Sequence, residues 1–196
     1  MWIVFEGPDK SGKDTQLHMV SEKLKELNID HINIKDPSPD VASDIRKILL
    51  EEELNQATRL YLYLAARAEL LFKQIVPALQ QKKVVLCNRY MLSTLAYQGI
   101  YFTSQKILQA AEAGGILDPR PDLQIIYLPP EPLEQKQQNI MDQYCFAFWK
   151  QIRQNYLSFS NNSGIEIIHV NSPPEVIFQR TWDMVSFYIQ KKEMFS

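Results

Sequence analysis

Gly7-Pro8-Asp9-Lys10-Ser11-Gly12-Lys13 is the stretch on which the reading of this chain turns. A short apolar run over residues 3–6 precedes it and an amphipathic run over 13–27 follows, so the pattern predicts strand, glycine turn and helix in succession. The spacing is G-x-x-x-x-G-K, the phosphate-loop pattern, in the strand–loop–helix setting that the pattern requires. Glycines permit the backbone angles that turn successive N–H groups inward around phosphate oxygens. The helix N-terminus adds a partial positive charge, and Lys13 adds a full one.

One position departs from the pattern. Serine or threonine is expected after the lysine, to place a neutral oxygen on Mg²⁺. Asp14 stands there instead, with Thr15 one step later. A carboxylate so near a phosphate repels it unless a cation lies between. The residues leave three readings open: Asp14 binds the metal directly, Thr15 substitutes for it, or nucleotide binding is weakened.

Outward from this loop, short apolar runs alternate with longer amphipathic ones, the pattern of an α/β protein. Further strands are predicted over 32–34, 84–87, 124–128 and 165–170, and helices over 43–50 and 55–81. In the last of these, Leu60, Leu64, Leu71 and Ile75 recur at helical spacing and are expected to face the sheet. Pro173 and Pro174 open a terminal helix, since proline is accepted in a first turn. The expected fold is P-loop NTP hydrolase-like: a central, mainly parallel five-stranded sheet flanked by helices in three layers, plus a short lid. Residues 131–144, rich in Gln and Glu, form the candidate lid, and residues 1–196 read as one domain.

Composition narrows the class. With 21 basic against 23 acidic residues the formal net charge is −2, so no overall basic field points to nucleic acid. Cys87 and Cys145 are the two cysteines and neither belongs to a C-x-x-C or Cys/His cluster, which argues against a disulfide scaffold or zinc site. The N-terminus lacks the basic and apolar regions of a signal peptide, and no run approaches the roughly 18 apolar residues of a membrane span. The chain reads as cytoplasmic.

Five segments in order give a wider resemblance. Phe5-Glu6-Gly7-Pro8-Asp9 through Thr15-Gln16, Asp36-Pro37-Ser38, and Tyr63-Leu64-Ala65-Ala66-Arg67-Ala68-Glu69 are the first three. Asn88-Arg89-Tyr90 with Ser93 and Ala96-Tyr97-Gln98-Gly99, then Pro121-Asp122-Leu123, complete the set. Together they resemble the thymidylate kinase family over nearly the whole chain. The resemblance implies an ATP:dTMP phosphotransferase using Mg²⁺, usually a homodimer, with the long 55–81 helix available for pairing. It keeps two alternatives in view: a kinase for another nucleotide or nucleoside, and a nucleotide-binding protein with weakened catalysis.

A kinase of this kind must hold an acceptor monophosphate in line with the donor's γ-phosphate. Gly7, Pro8, Asp9, Lys10, Ser11, Gly12, Lys13, Asp14 and Thr15 are then the ATP-binding residues, and Arg67 and Arg89 suit the acceptor phosphate. By resemblance Tyr63 stacks on the base, Ser93, Thr94, Tyr97 and Gln98 line the nucleoside pocket, and Tyr156 approaches the base from the helix after the lid. Asp36 orients an arginine or the metal near the acceptor phosphate, and Asp9, Asp14 and Thr15 are the metal candidates. Lys13, Lys10, Asp9 and Arg89 form the expected catalytic set.

Two departures from the family pattern suggest compensation. The family has Ser where Asp14 stands and Asp where Asn88 stands, as if a metal-binding carboxylate had moved from strand end to loop. The candidate lid holds Lys136 as its one basic residue, and Lys10 inside the loop is the candidate for the missing charge.

Overall fold

The computed structural model describes residues 1–131 and 140–194. Five strands, β1 (Trp2–Glu6), β2 (His31–Lys35), β3 (Val84–Asn88), β4 (Leu123–Leu128) and β5 (Ile165–His169), form one sheet of order β2-β3-β1-β4-β5. Every pairing among them is parallel. The first strand is thus the central one, and the phosphate loop leaves the sheet from its middle.

Parallel strands covered on both faces need apolar side chains on both faces. In β1, Trp2 and Val4 pack with Leu64, Leu70, Ile75 and Tyr90 on one side. Ile3 and Phe5 pack on the other with Leu17, Val20 and Leu24 of α1 (Lys13–Glu26) and Ile177 and Val185 of α8 (Pro174–Met194). The result is three layers, as the alternating pattern requires. Leu60, Leu64, Leu71 and Ile75 are all buried, on the face predicted for them.

The helix expected over 55–81 is made of three consecutive pieces: α3 (Gln56–Leu70), a π-helical turn (Leu71–Ile75) and α4 (Val76–Gln80). Asn55 caps its start, its side chain accepting from the Thr58 N–H. The widened turn precedes Pro77, which has no N–H for the regular ladder; the Val76 N–H reaches the Leu71 carbonyl, five residues back. Further helices are α2 (Ser43–Glu51), α5 (Met91–Tyr97), α6 (Ser104–Ala113) and α7 (Ile140–Leu157). Most of the lid expected over 131–144, Lys136 included, lies outside the described residues; its last positions open α7. Among the described residues no helix is long and apolar enough to cross a membrane.

Candidate active site

The phosphate loop is built by two glycines with different tasks. Gly7 has φ +138°, and a Cβ there would lie 2.4 Å from the backbone oxygen of Tyr127 in β4. The loop can therefore leave β1 only because this residue has no side chain. Gly12 (φ +81°) is the N-cap of α1. Lys13 follows, buried, its Nζ donating to the Pro8 carbonyl at 3.5 Å and lying 3.3 Å from Asp14. Burial holds the Lys13 ammonium below the usual lysine range, Arg89 pushes the same way, and Asp14 opposes both. The Ser11 hydroxyl is buried in the same loop without a hydrogen-bond partner among the described residues.

Beside the loop, at the C-terminal ends of the strands, lies a cavity of about 320 Å³. This is where open α/β sheets carry their ligands. Asp9, Lys13, Asp14, Asp36, Tyr63 and Arg67 line it, as do Arg89, Ser93, Thr94, Tyr97 and Gln98. These predicted residues come from the loop and the start of α1, the ends of β2 and β3, α3, and α5 with the turn that follows it. Thr15 is placed elsewhere: it borders a smaller hollow of about 60 Å³ with Ser11, Ser172 and Pro174. Neighbouring positions on a helix point about 100° apart, so α1 sends Asp14 and Thr15 to different cavities.

Arg67 is pinned. Its Nε donates to Asp36 Oδ2 at 2.7 Å, Nη1 to Thr94 Oγ1 at 3.0 Å, and Nη2 to the Tyr90 carbonyl at 3.0 Å, while Nη2 also pairs with Asp36 at 2.5 Å. The guanidinium lies over the Tyr90 ring, 4.9 Å from its centroid. Each nitrogen thus has a protein partner and the residue is buried, unlike the fork expected for a phosphate. Arg67 ties the Asp36 loop to the start of α5. Burial pushes the Asp36 carboxyl upward and Arg67 opposes it. Asp36 Oδ1 is buried without a partner among the described residues.

Arg89 is the more available cation. It follows β3 directly with φ +71°, a left-handed backbone. Nη1 donates to Ser93 Oγ at 3.0 Å, Nη2 to the exposed Asp9 at 2.6 Å, and the guanidinium lies 5.4 Å from the Tyr97 ring centroid. Asn88, one residue earlier, donates its Nδ2–H to Asp14 Oδ1 at 2.6 Å. Its own Oδ1 is buried without a partner among the described residues. Burial works against the charge on Asp14, but Lys13 and the Asn88 bond outweigh it and hold the carboxyl below the usual range.

Tyr156 is not in the cavity. It is fully buried directly behind the cavity wall, its hydroxyl 3.0 Å from the cavity-lining Ser93 Oγ and 3.3 Å from Glu6 Oε2. The α7 backbone places the ring inward, edge-on to Phe159. Sequence reasoning gave Glu6 no role beyond a motif letter, although an acidic residue closing an apolar strand is itself a signal, since buried charges need partners. Lys35, at the end of β2, and Arg46 of α2 also line the cavity; Arg46 holds the Pro37 carbonyl at 2.7 Å. Nothing in the plain amphipathic pattern of α2 marks Arg46 out.

A glycine cradle at a helix N-terminus, with its lysine bordering a cation-rich cavity at the strand ends, defines a P-loop nucleotide kinase. The thymidylate kinase family matches residues 5–181. A thymidylate kinase of Clostridium novyi (strain NT) is 30% identical over 195 residues, spanning 91% of this chain and 94% of that protein. One of Anoxybacillus flavithermus is 30% identical over 208 residues, spanning 97% and 99%. The crystal structure of thymidylate kinase from Ehrlichia chaffeensis superimposes with TM-score 0.79 at 26% identity, covering 95% of this chain and 98% of that one. The chain belongs to the thymidylate kinase family.

Proposed function

We propose that the chain moves the γ-phosphoryl group of ATP onto the phosphate of dTMP, giving dTDP and ADP. The observation that carries this is the shared cavity. Lys13 of the donor loop and Arg89 of the acceptor side border one space whose lining, among the described residues, holds five basic side chains (Lys13, Lys35, Arg46, Arg67, Arg89) and three acidic ones (Asp9, Asp14, Asp36), a net of +2. Such a lining suits a phosphomonoester dianion set close to a triphosphate tail.

In this reading residues 7–15 hold ATP, with backbone N–H groups and Lys13 on the phosphates. Arg89 takes the acceptor phosphate and exchanges its Asp9 contact for it, the more exposed of its two bonds. Tyr63, Thr94, Tyr97 and Gln98 enclose the nucleoside, and Arg67 keeps the Asp36 loop and α5 in register around it. An acceptor phosphate oxygen attacks the γ-phosphorus as the bond to the β–γ bridging oxygen breaks. Positioning and charge supply most of the catalysis.

The residues also fit Mg²⁺. Among the described residues no group of three acidic, His or Cys side chains is able to hold a metal alone. Mg²⁺ bound to a nucleotide needs only one or two carboxylates beside the phosphates. Asp14 offers one, and the unpartnered Asn88 Oδ1 next to it offers an acceptor for a coordinated water. Asp9 is a further carboxylate on the cavity wall, whereas Thr15 borders the other hollow. When bound, the ion neutralises charge developing between the β- and γ-phosphates.

Coupled ADP release across a panel of nucleoside monophosphates, with ATP and Mg²⁺, tests the reading. Turnover with dTMP is expected. Turnover only with another acceptor, or binding without turnover, would replace it with one of the two alternatives.

We further read residues 1–196 as one domain of a cytoplasmic homodimer. The family match over 5–181 supports the first point. For the pairing, Tyr61 and Phe72 are 64% and 76% exposed and lie eleven positions apart (61 to 72), about three helical turns, on the outer face of the long helix.

A further inference from the structure

We infer that Glu6 is a positioning residue for phosphotransfer: it directs the Ser93 hydroxyl so that a lone pair faces Arg89, and so aims the guanidinium at the acceptor phosphate. The inference rests on the assignment of Arg89 to that phosphate.

Glu6 ends β1, immediately before the phosphate loop, and none of its surface is exposed. Oε1 accepts from the backbone N–H of Tyr90 at 2.8 Å and of Ser93 at 3.2 Å. Oε2 accepts from Ser93 Oγ at 2.6 Å and from the Tyr156 hydroxyl at 3.3 Å. Glu6 accepts in each of these contacts, so the single proton of Ser93 points at Oε2. A lone pair of Ser93 is then left for Arg89 Nη1, 3.0 Å away, while Tyr156, with one proton of its own, gives it either to Ser93 or to Glu6. Hydrogen bonds with an ionised partner are about twice as strong as neutral ones, and linked bonds polarise one another.

The consequence is directional. Arg89 is stretched between a buried, oriented hydroxyl and the exposed carboxylate of Asp9. The buried end is fixed by Glu6; the exposed end is free to be replaced by a ligand. The same carboxylate receives the two N–H groups that start α5, which holds the left-handed turn at Arg89. One side chain thus sets both the orientation of the acceptor arginine and its distance from the donor loop one residue away.

Glu6→Gln reverses the direction while keeping the shape. Its oxygen must stay on the two backbone N–H groups, so its NH₂ faces Ser93 and Tyr156, and the Ser93 proton is forced elsewhere. The expected result is a rise in KM for dTMP of about tenfold, with KM for ATP changed less than about twofold. In an Arg89→Ala background the same change should add nothing. Ser93→Ala, which removes the link but leaves the bonds from Glu6 to the backbone, should behave likewise in both backgrounds, and it carries the test if Glu6→Gln does not fold. If Arg89→Ala raises KM for dTMP while Glu6→Gln and Ser93→Ala do not, Glu6 is not a positioning residue and Arg89 keeps its assignment. Effects that add to Arg89→Ala overturn the proposal too. If Arg89→Ala leaves KM for dTMP unchanged, the assignment of Arg89 fails, and the role of Glu6 with it.

Discussion

The Asn88 side-chain amide donates to the Asp14 carboxylate at 2.6 Å, so the residue that ends β3 and the second residue of α1 are direct partners across the cavity wall. These are the two positions at which the chain departs together from the serine and aspartate of the family pattern. Their contact gives the exchange a physical basis: one carboxylate and one neutral partner are kept, with their places swapped.

Single substitutions should therefore be worse than the pair. Asn88→Asp alone sets two carboxylates at hydrogen-bond distance without a donor between them. Asp14→Ser alone removes the carboxylate proposed for the ion. Each is expected to lower kcat or Mg²⁺ affinity by roughly 10- to 100-fold, and the double variant should recover most of the loss. Mg²⁺ titrations of coupled ADP release measure both quantities. A double variant no better than either single one sinks the exchange.

Lys10 sits in the loop with φ +62° and is exposed, a cation on a backbone held in the left-handed region. If its charge meets the γ-phosphate chiefly as the phosphate is transferred, Lys10→Ala should cut kcat on the order of a hundredfold while KM for ATP changes little. Steady-state kinetics at saturating dTMP decide it; unchanged turnover removes Lys10 from the mechanism.

Arg67 and Asp36 are a buried pair, both less than 3% exposed. Removing one partner leaves a buried charge uncompensated, which typically costs about 3–5 kcal/mol. Arg67→Ala should accordingly lower the midpoint of urea denaturation without any ligand present. A variant as stable as the parent that has lost only dTMP affinity would show that Arg67 serves the ligand and not the scaffold.

Burial raises the Cys87 thiol well above its ordinary value of 9.0, with Asp36 and Glu6 adding to the effect. Above pH 9 the unfolded chain releases this proton while the folded chain keeps it. The folded state then binds more protons, and this group's contribution to stability falls as pH rises. At pH 8 iodoacetamide should leave Cys87 unmodified in the folded protein and alkylate it in urea, as read by peptide mass mapping. Rapid alkylation in the folded protein would contradict both the burial and the shift.

The elements themselves were legible because strands buried on both faces and helices covered on one leave different periods in the sequence. Strands predicted at 3–6 and 84–87 appear as Trp2–Glu6 and Val84–Asn88. Strand order is a tertiary property and was not legible, nor was the π-helical turn before Pro77, which leaves the apolar spacing almost unchanged. At the site, Lys13, Arg89 and Tyr97 could be named because the motif carries them. The saturation of Arg67 could not, because its partners Asp36, Tyr90 and Thr94 come from segments brought together only by folding. The burial of Tyr156 behind Ser93 was not legible for a related reason: a tyrosine on a helix shows an apolar ring and a polar tip, and only the fold decides what each of them meets.

Left-handed residues other than glycine carry a conformational penalty of about 1–2 kcal/mol, and Arg89 is one of them. Robustness and catalysis therefore pull against each other at a single codon. Glycine there would relax the turn and make a sturdier protein than alanine would, yet one deprived of its grip on the acceptor. A search for thermostable variants that ignored activity would sample Arg89 with the other left-handed positions, Lys10, Asn28 and Lys82, and at Arg89 would discard the cation proposed for the acceptor.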